Sequence, residues 1–489
     1  MRNSIKTENK YKRLFKDTGW FAIGGFTSKL LLFLLTPLYT VLLATNEYGV
    51  ADLLNTTINL VFPVLTLAIT DATLRFAMKK TADKRKVLNN SLVIVFFSFC
   101  LLLCLRPVFS LFADLRPLQK QWLFFITIYI LFALHDCLSN YIKAIGKTMF
   151  YAIQGIIQTL VMVFCNLVFL LWLRMGLQGY LLSIVISHLP SIIIIIISSN
   201  LYKDITSSGF DAGLLKKMLV YCIPLIPATV AWFVNTSIDK YMIINMYGIE
   251  ESGIYGIAHK IPTIITTLGA FFVSAWTLSS IQNHGSKDES EYTTKVYNAL
   301  NILLVIGCLV VISFDKLISK LLFAGDYYVA WKYVPFLMIS AVFSSLSGFL
   351  AGPYRAEKKT ISLLMSVLIG AALNICLNVF LLKYMGVIGA AMATSISFFV
   401  VWLIRMIVIQ RIVIVKPRIV SSTISYLLMF FAAIFMTFDI NYSLYFCLAL
   451  LGVIVLINYK GIIELVKIKK LFVFRQKKQA NQSIEDETV

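Results

Sequence analysis

Two lysines lie deep inside long apolar stretches of this sequence. Lys29 is about eleven residues into the stretch 18–43 and Lys260 about nine residues into the stretch 252–282, so both fall near mid-depth of a membrane-spanning helix. An ionisable group at that depth costs a few kcal/mol and needs a compensating role. Lysine binds phosphate by charge-assisted hydrogen bonds, which are stronger in a low-dielectric cleft than in water. We therefore predict that Lys29, Lys260 and the adjacent His259 line a cationic substrate-binding cavity.

Three further basic residues lie toward the ends of such stretches. Arg75 lies near the cytoplasmic end of its stretch, and Asp71 lies one turn away on the same helical face, which allows an ion pair. Lys143 and Arg355 end equivalent stretches of the chain. They either anchor those stretches at the membrane surface or form a cytoplasmic entrance to the cavity.

The acidic residues within apolar stretches are candidates for ion coupling or for pairing between parts of the molecule. Asp136 follows His135, and the two could relay protons or form a satisfied buried pair. Asp239 and Lys240 are adjacent, so on a helix their side chains point apart. A structural tie and a binding role are both open for them, and Asp71 belongs to the same group of candidates.

Prolines interrupt two of the apolar stretches. Pro37 lies in the first stretch, and Pro224 and Pro227 lie in the seventh. Proline removes a backbone hydrogen bond and bends a helix. We predict that these bends could act as gates.

The sequence contains no pattern typical of a catalytic centre. The eight cysteines all lie in apolar runs and form no CxxC pair, which favours buried packing over disulfides or metal binding. There is no DxD motif, no Ser/His/Asp arrangement, no metal-ligand cluster and no Walker motif. We predict a protein that is not an enzyme, with no metal, no cofactor and no ATP hydrolysis of its own.

The composition indicates an integral membrane protein. Of 489 residues 59% are hydrophobic and 14% are charged, against about 25% charged in an ordinary soluble domain. The mean hydropathy is +0.83. A soluble fold could not hide that much apolar surface, so lipid or other helices must cover it.

About fourteen stretches are long enough to cross a bilayer as helices. Continuous apolar runs argue against a membrane barrel, whose strands alternate. Arg106 and Arg405 lie near the ends of their stretches and are expected to reach out to the membrane surface. The predicted spans, numbered one to fourteen, are 18–43, 48–74, 88–112, 120–142, 149–173, 177–199, 217–246, 252–282, 296–321, 332–354, 360–382, 386–409, 418–438 and 440–458.

The distribution of charge predicts the orientation. The formal net charge is +20, and most of the 44 Lys and Arg residues lie in both tails and in alternate loops such as 79–86. Such loops face the cytoplasm. An even number of spans also places both termini on one side, so both are predicted to be cytoplasmic. Since topology accounts for the basicity, no nucleic-acid partner is expected.

The two halves of the chain resemble each other at an offset near 210 residues. Lys143–Thr148 matches Arg355–Thr360, and Met175–Gly179 matches Met385–Gly389. Six spans separate corresponding helices, and because six is even the two copies keep the same orientation. The predicted segments are a basic cytoplasmic tail (1–17), an N-terminal lobe of spans one to six (18–199), a cytoplasmic linker (200–216), a C-terminal lobe of spans seven to twelve (217–409), an extra helix pair (410–458) and a cytoplasmic tail (459–489).

These features resemble the multidrug/oligosaccharidyl-lipid/polysaccharide (MOP) exporter superfamily, in its polysaccharide-biosynthesis branch of Wzx-like O-antigen flippases. The resemblance covers nearly the whole chain and lies in order and spacing. It rests on the span count, the six-plus-six repeat, the turn Tyr48–Val50, the segments Ile238–Lys240 and Glu251–Tyr255, and the twin Met-Gly-x-x-Gly turns.

The resemblance implies an all-α, MATE-like fold and a function at the bacterial inner membrane. It also implies that basic residues of spans one, two and eight line a cationic cavity, which adds Arg75 of span two, near the cytoplasmic mouth, to Lys29 and Lys260. It implies export of an undecaprenyl-diphosphate-linked oligosaccharide of O-antigen, capsule or exopolysaccharide by alternating access. Polymerase and glycosyltransferases of the pathway would be partners, together with membrane lipids, and H⁺ or Na⁺ would be the coupling ion. The alternatives are a peptidoglycan lipid-precursor flippase, a MATE-type drug/cation antiporter and, less favoured, a membrane polymerase or glycosyltransferase.

Overall fold

The computed structural model describes residues 27–79, 83–111, 115–201 and 209–463, and their regular structure is helical throughout. The predicted tail 1–17, the start of span one and the end of the C-terminal tail lie outside the described residues. The helices, numbered in chain order, are α1 (Thr27–Leu42), α2 (Thr45–Leu65), α3 (Ile69–Ala77), α4 (Lys84–Cys104), α5 (Trp122–Ala144), α6 (Thr148–Asn166), α7 (Gly176–Ser199), α8 (Ala212–Cys222), α9 (Ile226–Tyr247), α10 (Ile249–Ala258), α11 (Lys260–Asn283), α12 (Glu289–Ser313), α13 (Val334–Ala356), α14 (Thr360–Met385), α15 (Val387–Ile409), α16 (Ile419–Thr437) and α17 (Ser443–Ile457).

Twelve helices within the described ranges are long and apolar enough to cross a membrane. They coincide with predicted spans two to thirteen. Two shorter apolar helices, Thr27–Leu42 and Ser443–Ile457, occupy the positions of spans one and fourteen. A multi-pass, all-helical membrane fold is therefore confirmed. The main difference lies in span eight, where the helix begins at Ile249 and divides at His259 into α10 and α11.

Helices at equivalent positions in the two halves of the chain pack in the same way. In the first half α5 packs on α4 and α7, and α6 packs on α7. In the second half α13 packs on α12 and α15, and α14 packs on α15. These pairs correspond under the sequence repeat. The last two helices, α16 and α17, pack on each other and on α12.

The twin Met-Gly turns have a physical reason. Gly176 and Gly386 both have positive φ, at 54° and 63°, a conformation that favours glycine. Gly176 is the first residue of α7, and Gly386 directly precedes α15. Each of these helices packs against the helix before it in the chain. A β-carbon on Gly389 would lie 2.2 Å from the Leu381 carbonyl oxygen, and one on Gly179 would lie 3.2 Å from the Phe169 oxygen. The second glycine therefore permits the return helix to touch its predecessor.

Large apolar side chains cover the outside of the bundle. On α6 and the π-helical turn that follows it, Leu160, Phe164 and Trp172 are 51%, 66% and 83% exposed. A soluble monomer does not display such a surface. Lipid therefore covers these faces.

The expectation that Arg405 reaches the membrane surface is wrong. Its side chain is buried, with Nε donating to Ser366 Oγ at 2.9 Å and a terminal nitrogen donating to the Ser347 carbonyl at 2.8 Å. The reason is that α15 packs against both α13 and α14 at this level, so neighbouring helices supply the polar partners. Arg106, by contrast, is exposed, with its guanidinium 5.9 Å from the centre of the Trp122 ring.

We predict that Arg405→Ala destabilises the C-terminal half. Loss of a buried side chain and its two hydrogen bonds should lower the free energy of unfolding by about 2–5 kcal/mol. The exposed Arg106→Ala is the matched control and should stay within about 0.5 kcal/mol of the parent. Unfolding of the purified protein in detergent measures both, and equal small changes in the two variants would contradict the buried role.

Candidate functional site

Lys29 and Lys260 line one cavity between the two halves. The cavity measures about 100 Å³, room for about three water molecules at liquid density. Lys29 comes from α1, and Lys260 is the first residue of α11. The structure therefore brings together the two lysines that the sequence analysis singled out. The other lining residues are Leu30, Leu32, Phe33, Thr263, Ile264 and Thr267.

The division between α10 and α11 places His259 and Lys260 on this boundary. The Lys260 ammonium lies 5.9 Å from the centre of the Tyr48 ring on α2, within cation–π range. The His259 ring packs edge-on against Tyr255, at 4.8 Å between centres. Its Nε2 is buried with no hydrogen-bond partner among the described residues. An orphaned polar atom at this position would be satisfied by a ligand or a bound water.

A third lysine joins the cluster through an ion pair that the sequence analysis did not find. The Lys240 ammonium on α9 lies 2.7 Å from a carboxylate oxygen of Asp52 on α2, and both side chains are at least four-fifths buried. Lys29, Lys240 and Asp52 all lie within electrostatic reach of Lys260. Among the described residues, Lys260, two further cations and one carboxylate thus lie together, which gives this part of the site a net positive charge.

Small residues bring α2 close enough to α9 and α10 for that ion pair. A β-carbon on Gly253 would lie 2.3 Å from the Thr45 carbonyl oxygen, and one on Gly49 would lie 2.2 Å from the Ile249 oxygen. The two backbones therefore touch directly, as in small-residue contacts between membrane helices. A β-carbon on Gly256 would lie 2.7 Å from Asp52 Oδ2. Asp52 is thus held against α10 and turned toward Lys240.

Asp239 points away from Lys240 into the C-terminal half. Its carboxylate accepts a hydrogen bond from the Tyr255 hydroxyl at 2.6 Å and one from Thr394 at 3.1 Å. Asn374 in turn donates to Thr394, and Asn378 donates to Asn374. The sequence analysis did not identify this network. Two asparagines one turn apart in an apolar span were the signal that could have revealed it.

A second polar network lies in the N-terminal half. Asn140 donates to Asp136 at 3.1 Å, and Lys143 donates to Asn140 at 3.4 Å. His135 lies 2.6 Å from the Gln154 amide oxygen, so its Nε2 is the donor in this contact. The adjacent His135 and Asp136 therefore belong to two different sets of partners. This arrangement separates the two groups that the sequence suggested as a relay.

The structure does not place Arg75 in the cavity of Lys29 and Lys260. Its guanidinium lies 4.1 Å from the centre of the Tyr221 ring on α8, and the Arg75 and Asp71 side chains are both exposed. Lys143 and Arg355 end the corresponding helices α5 and α13. The Lys143 ammonium packs on the Tyr151 ring at 4.3 Å, and Arg355 is exposed.

The prolines of span seven lie at a junction between two differently anchored helices. Pro224 lies in the 3₁₀ turn Ile223–Leu225, and Pro227 is the second residue of α9. On one side α8 packs on α3 and α4 of the first half, and on the other α9 packs on α14 of the second half. Pro37 lies in α1 next to a similar break at Leu35.

The start of α8 is fixed to the first half by Asp211. Its backbone exchanges two hydrogen bonds with the Asn90 side chain, at 2.9 and 3.1 Å. Its carboxylate caps α8 by accepting from the Leu214 amide and pairs with Lys86 at 3.4 Å. The amide of Leu214, followed by the Lys86 ammonium, lowers the pKa of the Asp211 carboxyl. The described end of the connection, next to α8, is therefore anchored to the first half.

The two halves are closed against each other at the end of the molecule that holds Ala44 and Gly248. Tyr327 donates to the Ala44 carbonyl at 2.9 Å, and Thr40 donates to the Leu322 carbonyl at 3.0 Å. The ion pair of Asp52 and Lys240 lies just beneath this layer. At the opposite end, α8 makes the main helix-to-helix contact across the halves within the described residues.

Comparison with known proteins identifies relatives at the levels of family and fold. The family model described as "Polysaccharide biosynthesis protein" matches residues 14–278, more than half of the chain, and the MatE model matches residues 224–380. No curated protein sequence matches the chain.

Three solved structures are similar in fold. The lipid II flippase MurJ, in an inward closed conformation, aligns with a TM-score of 0.68 at 16% identity, covering 91% of this chain and 99% of that one. An inward-facing MATE multidrug transporter aligns at 0.67 and 13% identity, covering 80% and 98%. A MOP superfamily transporter from Pyrococcus furiosus aligns at 0.60 and 11% identity, covering 81% and 96%.

We predict that Asp52 and Lys240 are energetically coupled. Asp52→Asn leaves a buried ammonium without its counter-ion and should cost about 3–5 kcal/mol of unfolding free energy. The double variant Asp52→Asn, Lys240→Gln should cost clearly less than the sum of the single variants.

The exposed pair Glu291 and Lys295, one turn apart on α12, is the control for this double-mutant cycle. Its coupling should be only about 0.3–0.5 kcal/mol. Detergent unfolding curves give all the values. Additive losses at Asp52 and Lys240 would contradict the coupling.

Proposed function

Because the chain belongs to the polysaccharide biosynthesis protein family, we propose that it is a flippase for an undecaprenyl-diphosphate-linked oligosaccharide. It moves a repeat unit of O-antigen, capsule or exopolysaccharide from the inner to the outer leaflet of the bacterial inner membrane. Both termini lie in the cytoplasm. The observation that carries this proposal is the cluster of Lys29, Lys240 and Lys260 with a single carboxylate at the boundary of the two halves.

The excess of positive charge suits a diphosphate. A diphosphate presents several anionic acceptor oxygens, and each ammonium can donate charge-assisted hydrogen bonds to them. Lys29 and Lys260 line the same cavity, whereas Lys240 is held by Asp52. The two cavity lysines therefore contact the headgroup, and Lys240 adds to the attraction at longer range. The polyprenyl tail stays in lipid beside α1 and α11.

The same charge balance disfavours a drug/cation antiporter. A cationic cargo would be repelled by three ammonium groups around one carboxylate. The peptidoglycan lipid precursor also carries a diphosphate, so a flippase of that precursor is the closest alternative. These two substrates share the diphosphate headgroup and differ in the sugar attached to it.

Transport proceeds by alternating access between the lobes 18–199 and 217–409. In the proposed orientation the closed end with Ala44 and Gly248 faces outward, so this state receives substrate from the cytoplasmic side. Closure toward the cytoplasm requires α9 to move with the second lobe while α8 stays on the first. The turn at Pro224 and Pro227 is the pivot, and the break beside Pro37 gives α1 its own bend for lateral entry.

Energy comes from an ion gradient or from substrate supply, with H⁺ or Na⁺ as the coupling ion. The buried carboxyl of Asp239 and the Asp136 network are the places where such an ion would act. Glycosyltransferases of the same pathway supply the substrate on the cytoplasmic side. A polymerase consumes it on the other side.

We predict that Lys29→Ala and Lys260→Ala each reduce export about tenfold or more, since a hydrogen bond from a charged group contributes about 1.5–3 kcal/mol. The arginine variants at both positions should retain most of the export. Lys383→Ala, an exposed lysine at the end of α14, is the control and should export normally. The measurement is surface polysaccharide in a strain lacking the gene, complemented by each variant at equal protein abundance.

The deletion strain tests the function itself. It should accumulate lipid-linked oligosaccharide in the inner leaflet. Normal surface polysaccharide without the gene would overturn the proposed function, and wild-type export by both alanine variants would overturn the proposed site.

A further inference from the structure

A second basic pocket lies at one end of the N-terminal half, away from the central cavity. It opens at the starts of α4 and α6 and the ends of α5 and α7, has a volume of about 490 Å³ and shares no lining residue with the cavity of Lys29 and Lys260. Three cations and one carboxylate line it. The residues are Asp83, Lys84, Arg85, Tyr141, Ile145, Lys147 and Ser199.

The Asp83 carboxylate already has hydrogen-bond partners in its own helix. Asp83 is the N-cap of α4, and its Oδ1 accepts hydrogen bonds from the backbone amides of Arg85 and Lys86 at 3.1 and 3.4 Å. The negative charge is thus offset by the amide groups of the first turn. Among the described lining residues, cationic side chains therefore outnumber carboxylates.

Hydrogen bonding between two helices fixes part of the pocket wall. Lys147 reaches across from the start of α6 and donates to the Ser198 carbonyl at the end of α7, at 2.8 Å. An ammonium has three donors, so this bond fixes the side chain while two donors remain. Ser199 lines the pocket, is 7% exposed, and its buried hydroxyl has no hydrogen-bond partner among the described residues. Such an orphaned hydroxyl is a donor for an incoming oxygen ligand.

Exposed apolar side chains next to the pocket indicate that its ligand carries acyl chains. Met149 and Phe150, two and three residues after Lys147, are 53% and 37% exposed, and Ile197, two residues before Ser199, is 67% exposed. The basic pocket therefore adjoins, in sequence, exposed apolar side chains at the start of α6 and the end of α7. A free anion would use only the charged part, whereas a phospholipid would use both.

We propose that this pocket binds the phosphodiester headgroup of an anionic phospholipid from the cytoplasmic leaflet. Lys84, Arg85 and Lys147 contact the phosphate oxygens, the Ser199 hydroxyl adds a neutral donor, and the acyl chains lie along α6 and α7. Basic pockets between membrane helices on this side recognise anionic headgroups through the same chemistry. The proposal goes beyond the transported substrate and holds whatever that substrate is.

The test is binding of phosphatidylglycerol to the purified full-length protein in zwitterionic detergent micelles. Phosphatidylglycerol should raise the thermal unfolding midpoint in a saturable way, and native mass spectrometry should retain a bound lipid. Phosphatidylcholine and inorganic phosphate at matched ionic strength should do neither. Stabilisation by inorganic phosphate equal to that by phosphatidylglycerol would overturn the lipid assignment, and absence of any effect would overturn the site.

The variant Lys84→Gln, Arg85→Gln should weaken phosphatidylglycerol binding about tenfold or more. The matched control is Lys216→Gln, Lys217→Gln, which removes the same charge from two exposed lysines of α8 outside the pocket and should bind like the parent. Ser199→Ala, which removes only the orphaned hydroxyl, should fold normally and bind more weakly than the parent. Equal losses in the two double variants would show non-specific attraction and contradict the pocket.

Discussion

The cost of an uncompensated charge inside a membrane is the constraint on which this structure depends. Three of the charged groups within the described helices are compensated by a partner from another helix. Arg405 uses a serine and a backbone carbonyl, Asp239 uses a tyrosine and a threonine, and Lys240 uses Asp52. The charges of Lys29 and Lys260 are accommodated differently, because these side chains line a cavity between the halves. This is the basis of the proposal that an anion enters the cavity and compensates the two amines.

The same ion pair that belongs to the cationic cluster also holds the two halves together. Asp52 lies on a helix of the first half and Lys240 on a helix of the second, beneath the contacts of Tyr327 and Thr40 that close one end. In the proposed mechanism, an anion bound near Lys260 would act on this ion pair and so on the closed end. The turn at Pro224 and Pro227 would then be the element that bends.

The parts of the structure that could be predicted from sequence are those set by local pattern. Apolar run length gave the membrane helices, and the Met-Gly turns of the repeat correspond to matching turns with positive φ at Gly176 and Gly386. The depth of Lys29 and Lys260 was sufficient to place them on one cavity, because helix rise converts sequence position into depth.

The remaining contacts depend on how helices rotate and cross, which a single sequence does not encode locally. Arg405 is close to a helix end in sequence, yet its helix is covered at that level by two others. The sequence analysis did not identify Asp52 as a partner of Lys240, because Asp52 lies only one or two turns into its span. At that depth a carboxylate is expected to lie at the membrane surface. Arg75 was assigned to the cavity from its span number, whereas the short helix α3 directs it to Tyr221.

The central claim is that the boundary between the halves is a diphosphate site. Equilibrium binding of three farnesyl ligands to the purified protein tests it most directly, because the ligands share one tail and differ only in headgroup charge. The account predicts that farnesyl diphosphate binds most tightly, farnesyl monophosphate less tightly and farnesol most weakly, with the difference shrinking as salt is added. Equal affinity for all three, or tighter binding of the uncharged alcohol, would contradict it.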